Sequence, residues 1–240
     1  MTRGNSEAEA GKETLLGGSL QRRQFLQFAG ASALAVGMAG CKKDKTTEFE
    51  AAYTNTDNTV DFKDDVGLLN YIYALEQLEA AFYVKVTESL PTSFTATQAL
   101  FFLDIKLHEI AHREFFKRVL GKAAIGNLDM DFSTINFADA TAVLTAAKTF
   151  EDLGVAAYND VILRCKNDYN LILFSQIATV EARHAAYVSS QTNALGFADL
   201  SGLSALGADA TNGLDVTLDP GKVLEQALKY IKTKLNVINL

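Results

Sequence analysis

Two stretches of this 240-residue sequence place a histidine three positions after a glutamate: Glu109-Ile110-Ala111-His112 and Glu181-Ala182-Arg183-His184. On a helix such a pair shares one face, so each stretch aims a carboxylate and an imidazole the same way. A further glutamate precedes each stretch, Glu76 by 33 positions and Glu151 by 30. Their surroundings match: Leu75-Glu76-Gln77-Leu78-Glu79-Ala80-Ala81-Phe82-Tyr83 parallels Phe150-Glu151-Asp152-Leu153-Gly154-Val155-Ala156-Ala157-Tyr158. Each has a tyrosine seven residues after the glutamate, on the same helical stripe. The order is therefore Glu, Glu-x-x-His, repeated once. The neighbours Ile105, Ile110, Ala111, Val180, Ala182 and Ala185 are apolar or small, unlike a solvated face. Buried carboxylates are costly without partners, and metal coordination is one remedy; a structural polar core is the other. Oxygen and nitrogen donors without thiolate speak against soft-metal chemistry.

Three other residue groups compete for a role. Glu79 lies one turn from Glu76, but its counterpart in the repeat is Gly154, whereas Glu76 matches Glu151. The repeat selects Glu76 as the ligand and leaves Glu79 behind it or at the rim. Tyr83 and Tyr158 can serve beside the site as hydrogen-bond partners or redox-active groups, or be core aromatics with a satisfied hydroxyl. His108-Glu109-Ile110-Ala111-His112 is a literal H-E-x-x-H, the zinc-protease helix with Glu109 as general base. No histidine follows at the metzincin spacing, no glutamate lies between Glu114 and Glu151 as a third ligand, and Glu76, Glu151, Glu181 and His184 go unexplained. His108 is expected as an outer or loop histidine, about 100° around the helix from Glu109.

To gather these groups the chain needs four helices. The first follows Asp61, Asp64 and Asp65, which suit a helix N-terminus, and runs to about Glu88, with Pro91 ending it. Thr95-Ala96-Thr97-Gln98 fits a capping box opening the second, which reaches Leu120 and closes at Gly121. A crossing loop covers 122–137. The third helix spans about Asp139 to Cys165 or Lys166, and a turn at Asn167-Asp168 leads to the fourth, about 169–192. No stretch alternates like a strand. Residues 193–218, rich in Gly, Ala, Ser and Asp, wrap the bundle or cover one end, and Asp219-Pro220 opens a fifth helix through Leu224, Leu228 and Ile231. The expected fold is all-α: an up-down four-helix bundle over 61–192, with a long crossover between its two helix pairs and a C-terminal extension and helix over 193–240.

The alternation of Glu and Glu-x-x-His over four helices is the ligand pattern of di-iron and di-manganese carboxylate proteins. Over about residues 62–190 the chain resembles the ferritin-like superfamily. Leu78-Glu79-Ala80-Ala81-Phe82-Tyr83 and Leu218-Asp219-Pro220 are similar to its exported branch, which includes desiccation-related proteins. The resemblance implies two iron ions, or two manganese ions, with Glu76 and His112 terminal on one, Glu151 and His184 terminal on the other, and Glu109 and Glu181 bridging. It implies Fe(II) oxidation or consumption of O2 or peroxide, or a non-catalytic binding or stress-protection protein that keeps the ligands for structure. Iron storage needs a hollow multimeric shell, for which a lipid-anchored chain with a fifth helix is an awkward component. A homodimer is compatible with the sequence.

Residues 1–40 belong to targeting. Arg22-Arg23 precedes an apolar run from Phe25 to Gly40, too short for the ~20 residues of a membrane span, and reads as a Tat-type export signal. Ala39-Gly40-Cys41 resembles a lipobox, with Met38 where leucine is more usual, so Cys41 is the expected lipid-bearing residue of an envelope protein, periplasmic or on the outer surface. Export in the folded state suits a site loaded in the cytoplasm. Residues 41–60 read as a flexible tether. Cys165 then has no intramolecular partner and is expected as a small buried residue. The net charge of −7 speaks against nucleic acid as a partner, which calls for a basic face.

Overall fold

The computed structural model describes residues 54–240, in the order β1 (Thr59–Asp61), α1 (Asp65–Glu88), α2 (Ala96–Leu120), α3 (Ala140–Arg164), α4 (Asp168–Thr192), α5 (Pro220–Ala227) and β2 (Asn236–Ile238). The twin arginine, the apolar run and Cys41 lie outside the described residues. Each long helix begins on a side-chain cap. Asp64 accepts from Val66 and Gly67 N–H, Thr95 and Gln98 form the expected reciprocal box, Asp139 accepts from Thr141, and Asn167 accepts from Tyr169 and Asn170. Such a cap contributes about 1 kcal/mol to its helix.

Contacts between helices fix their directions. Tyr83 on α1 bonds Glu151 on α3 while Tyr158 bonds Glu76, so these two helices run antiparallel. Pairing of Tyr83 with Phe102 and of Glu76 with His112 makes α2 antiparallel to α1. Phe101 with Tyr187, His108 with His184 and Phe116 with Phe174 make α4 antiparallel to α2. It follows that α2 and α3 run parallel. Their connection must return along a 25-residue helix, about 37 Å at 1.5 Å per residue. That is why the crossover is long. Two buried amides on α1 fasten it: Asn70 donates to Ala123 O (2.9 Å) and accepts from Ile125 N (2.8 Å), and Gln77 donates to Gly126 O (3.2 Å) and accepts from Leu128 N (2.9 Å). Phe132 and Phe137 in the crossover then pack on Phe82.

α1 and α3 form the buried centre of the bundle, and α2 and α4 flank it, leaving Leu100, Leu103, Tyr169 and Ile172 exposed. Asp65 joins the two hairpins at one end. Its carboxylate accepts from Lys166 N, Asn167 N and Asn170 Nδ2, at 3.0, 3.0 and 3.1 Å. Cys165 also donates to it, at 3.2 Å, so this thiol is half-buried and hydrogen-bonded rather than sealed in the core. Burial, together with the Asp65 carboxylate, pushes the thiol up to about 11. Among the described residues no helix is long and apolar enough to cross a membrane.

Three expectations are corrected at the chain's edges. The expected tether extends to residue 60, yet Asn55 N–H already donates to Lys122 O (3.0 Å) and Val60 is fully buried. β1 pairs in parallel with β2, Val60 opposite Val237, although no strand is expected from the sequence. Three-residue strands are too short to show alternation. The fifth helix also stops early, at Ala227, followed by a single 3-10 turn to Tyr230. There the tail turns to the crossover, where Asp131 N–H donates to Tyr230 O and Lys232 N–H to Asp129 O, both at 2.8 Å. Residues 193–218 lie partly along α3: Leu218 N–H donates to Ala156 O, and Val216 and Leu218 are buried.

Gly67 lets the end of β1 cross the first turn of α1. A Cβ there would stand 1.7 Å from the Asp61 carbonyl oxygen, a backbone atom that cannot swing aside. Gly67→Ala is expected to cost roughly 1–3 kcal/mol or somewhat more, read as a lower midpoint in chemical denaturation. Binding properties of the bundle centre should be unchanged in that variant.

Candidate metal centre

The caps and crossings above bring all six expected ligands to the middle of the bundle. Glu76, Glu109, Glu151 and Glu181 have no solvent exposure, and the His112 and His184 side chains are 13% and 5% exposed. His112 Nδ1 stands 3.1 Å from Glu181 Oε1, 3.4 Å from Glu76 Oε2 and 3.5 Å from Glu109 Oε2. His184 Nδ1 stands 2.8 Å from Glu109 Oε1, 3.6 Å from Glu151 Oε2 and 3.9 Å from Glu181 Oε1. Two groups capable of holding an ion result: Glu76, Glu109, His112 and Glu181, and Glu109, Glu151, Glu181 and His184. Donor atoms within each lie inside 4.8 Å of one another, and Glu109 and Glu181 belong to both.

The donor atoms fit a cation. Six carboxylate oxygens of the four glutamates and both histidine Nδ1 atoms are buried without a well-directed hydrogen bond, although the imidazoles stand 2.8–3.9 Å from those oxygens. So many orphaned polar atoms in one place would be very costly unless something else binds them. Without a cation the cluster balances itself with protons. Burial pushes Glu76 and Glu151 up to about 8, against the pull of His112 on the first and His184 on the second. Burial and the Glu109 charge raise Glu181 as well. Glu109 goes the other way: burial would raise it, but the imidazoles of His112 and His184 hold it at about 2. Burial alone would lower both histidines, yet the facing carboxylates, led by Glu76 for His112 and Glu151 for His184, lift them well above the ordinary imidazole value. Any cation must displace these protons.

The tyrosines cross between the repeats. Tyr83 donates to Glu151 Oε1, and Tyr158 donates to Glu76 Oε1, so each half of the repeat orients the other half's glutamate. Both phenols are held well above their usual range by burial and by those carboxylates. Tyr83→Phe or Tyr158→Phe strands one buried oxygen and is expected to cost roughly 1–3 kcal/mol. By the repeat, the two losses should be nearly equal in denaturation of the metal-free protein.

Glu79 is neither at the rim nor in either donor group. It is 3% exposed, and its Oε1 lies 2.8 Å from where a Cβ on Gly154 would be, with Glu181 Oε2 3.4 Å from the same point. Gly154, its counterpart in the repeat, leaves the space that Glu79 fills. Burial and the surrounding carboxylates raise Glu79 well above the carboxylate range. The mismatch of Glu with Gly was the sequence signal for this packing.

His108 takes a position the sequence did not assign. Its Nδ1 lies 2.9 Å from His184 Nε2, the nitrogen opposite the one facing the carboxylates. It belongs to neither donor group, and its ring centroid is 6.4 Å from that of His112. The H-E-x-x-H arrangement requires His108 and His112 on a single ion; here His112 is gathered with three glutamates and His108 stands behind the other histidine.

Two antiparallel helix hairpins, joined by a full-length crossover and closed around buried glutamates and histidines, define a ferritin-like bundle. A family model described as a ferritin-like domain matches residues 64–194, from the α1 cap to the end of α4, and the chain belongs to that family. Among curated proteins none matches the chain.

Proposed function

We propose that this chain is an exported two-metal protein that oxidises Fe(II) or consumes O2 or peroxide, with iron as its metal pair and manganese as the alternative. The observation that carries the reading is the pair of overlapping donor groups sharing Glu109 and Glu181. Two neighbouring ions would act together on one small molecule, and an iron pair would supply two electrons, one from each metal. Glu76 with His112 would hold one ion, Glu151 with His184 the other, and Glu109 and Glu181 both. Tyr83 and Tyr158 fix the terminal glutamates, and His108 accepts from His184 Nε2–H, which keeps the Nδ1 lone pair turned to the centre. Full burial of the four glutamates keeps their carboxylates out of bulk water.

The N-terminal sequence supports export: Arg22-Arg23 before an apolar run, then Cys41 as a lipid attachment point in the cell envelope. The test is turnover. Protein carrying two ions per chain should oxidise added Fe(II) under air, or clear peroxide, over many cycles. Loaded protein that does neither would leave a non-catalytic binding or stress-protection protein.

A further inference from the structure

The repeat allows the two halves of the centre to be compared residue by residue, and their outer sides differ. A shift of 72 positions pairs Glu109 with Glu181 and His112 with His184. The same shift pairs His108 with Val180, Phe115 with Tyr187 and Phe101 with Leu173. Beside His184 the space is filled: Phe101 stacks on Tyr187 with centroids 4.1 Å apart, and His108 meets Nε2 at 2.9 Å. Beside His112 each counterpart is smaller or lacks the polar atom, namely Leu173, Phe115 and Val180. An open cavity of about 460 Å³ stands there between α2 and α4, with His112, Phe115, Arg118, Leu173 and Ile177 in its wall.

His112 Nδ1 is buried against the carboxylates, so the exposed part of its side chain is the opposite edge, which carries Nε2. Among the described residues nothing accepts a hydrogen bond from that nitrogen. With a cation on Nδ1, the reading on which this inference rests, Nε2 carries the ring proton and is a donor. At His184 a protein acceptor meets this donor; at His112 a cavity does. Arg118 makes no ion pair among the described residues, and Glu114, the carboxylate in the wall, is already held by Arg113 at 2.8 Å. The wall therefore joins an apolar side, Phe115, Leu173 and Ile177, to a polar one that includes Gln176 and Arg118, with Arg118 the charge left unpaired among the described residues. Its volume is that of a small-molecule site, far beyond what O2 or peroxide fills.

The geometry points to this cavity as a binding site for a small apolar carboxylate. Its tail packs on Phe115, Leu173 and Ile177, and its carboxylate accepts from His112 Nε2–H in the field of Arg118. The probes are octanoate and 1-octanol, titrated calorimetrically into the metal-loaded full chain. Octanoate should bind saturably, one per chain and at least tenfold tighter than octanol. Phe115→Tyr with Leu173→Phe copies into this half the pair that fills the other, and should weaken octanoate at least tenfold while metal content stays at two. Arg118→Ala, at an exposed position where folding is not at stake, should weaken it by a similar factor. Absence of saturable octanoate binding to loaded protein overturns the site, as does octanol binding equally well, or full affinity in the double variant. Loaded protein that holds two ions yet fails to bind octanoate loses the carboxylate site and keeps the two-metal reading, whereas protein that takes up no metal under any loading loses the two-metal reading itself.

Discussion

Glu151→Ala should reduce metal content from two ions per chain to one at most and lower turnover by roughly 100-fold or more. Changes in groups that merely orient ligands cost ~10–100-fold in affinity or activity, and loss of a ligand should exceed that. Glu151 supplies the donor group of Glu109, Glu181 and His184 with its only member from α3. The variant should remain folded. Burial holds Glu151 at about 8, so its removal deletes an unfavourably placed carboxyl and strands only the Tyr83 hydroxyl. Elemental analysis beside thermal unfolding separates these effects. Glu76→Ala should behave alike, because Glu76 occupies the same place in the other half. A zinc protease built on His108 and His112 would survive Glu151→Ala intact, so retained zinc and peptidase activity would count for that chemistry instead.

Metal loading should raise the thermal midpoint by about 5–10 °C at an ion concentration a hundred times Kd, since that excess contributes ~2.7 kcal/mol and a domain of this size gains ~2–4 °C per kcal/mol. The gain should grow with pH. Glu76, Glu151, Glu181 and both histidines have folded values raised above their unfolded ones. Groups of that kind contribute stability that is complete below the unfolded value and is lost as pH rises through the folded value. Metal-free protein should therefore lose stability between about pH 5 and 8 as Glu76 and Glu151 approach their folded value of about 8. Glu109, held at about 2, contributes a constant amount across that window. A cation replaces the protons these groups would otherwise keep, so its affinity should fall as pH drops below about 8, with protons released on binding. Midpoints measured from pH 6 to 9 with and without metal should diverge.

The sequence spoke most clearly where its signals were local or repeated. Thr95 with Gln98, Asp139, and Asn167 mark helix starts by their own chemistry, and the structure begins those helices there. The six candidate ligands were legible because a helix face and an internal repeat are both linear patterns, and they do converge. What stayed hidden depends on residues distant in the chain. His108 and His184 meet across 76 positions with no periodic hint. Glu79 turned inward because Gly154 on another helix makes room, which the repeat mismatch suggested only in retrospect. β1 and β2 are three residues each and find one another from opposite ends of the described chain, so neither carries a pattern of its own. Phe101 and Tyr187 read as ordinary helix aromatics until their stack is set against the cavity beside His112.

Elemental analysis of the protein, purified aerobically without chelator or added metal, bears most directly on the two overlapping donor groups. The expected result is about two iron or manganese ions per chain. A single zinc per chain, or no metal even after anaerobic reconstitution with Fe(II), would contradict it.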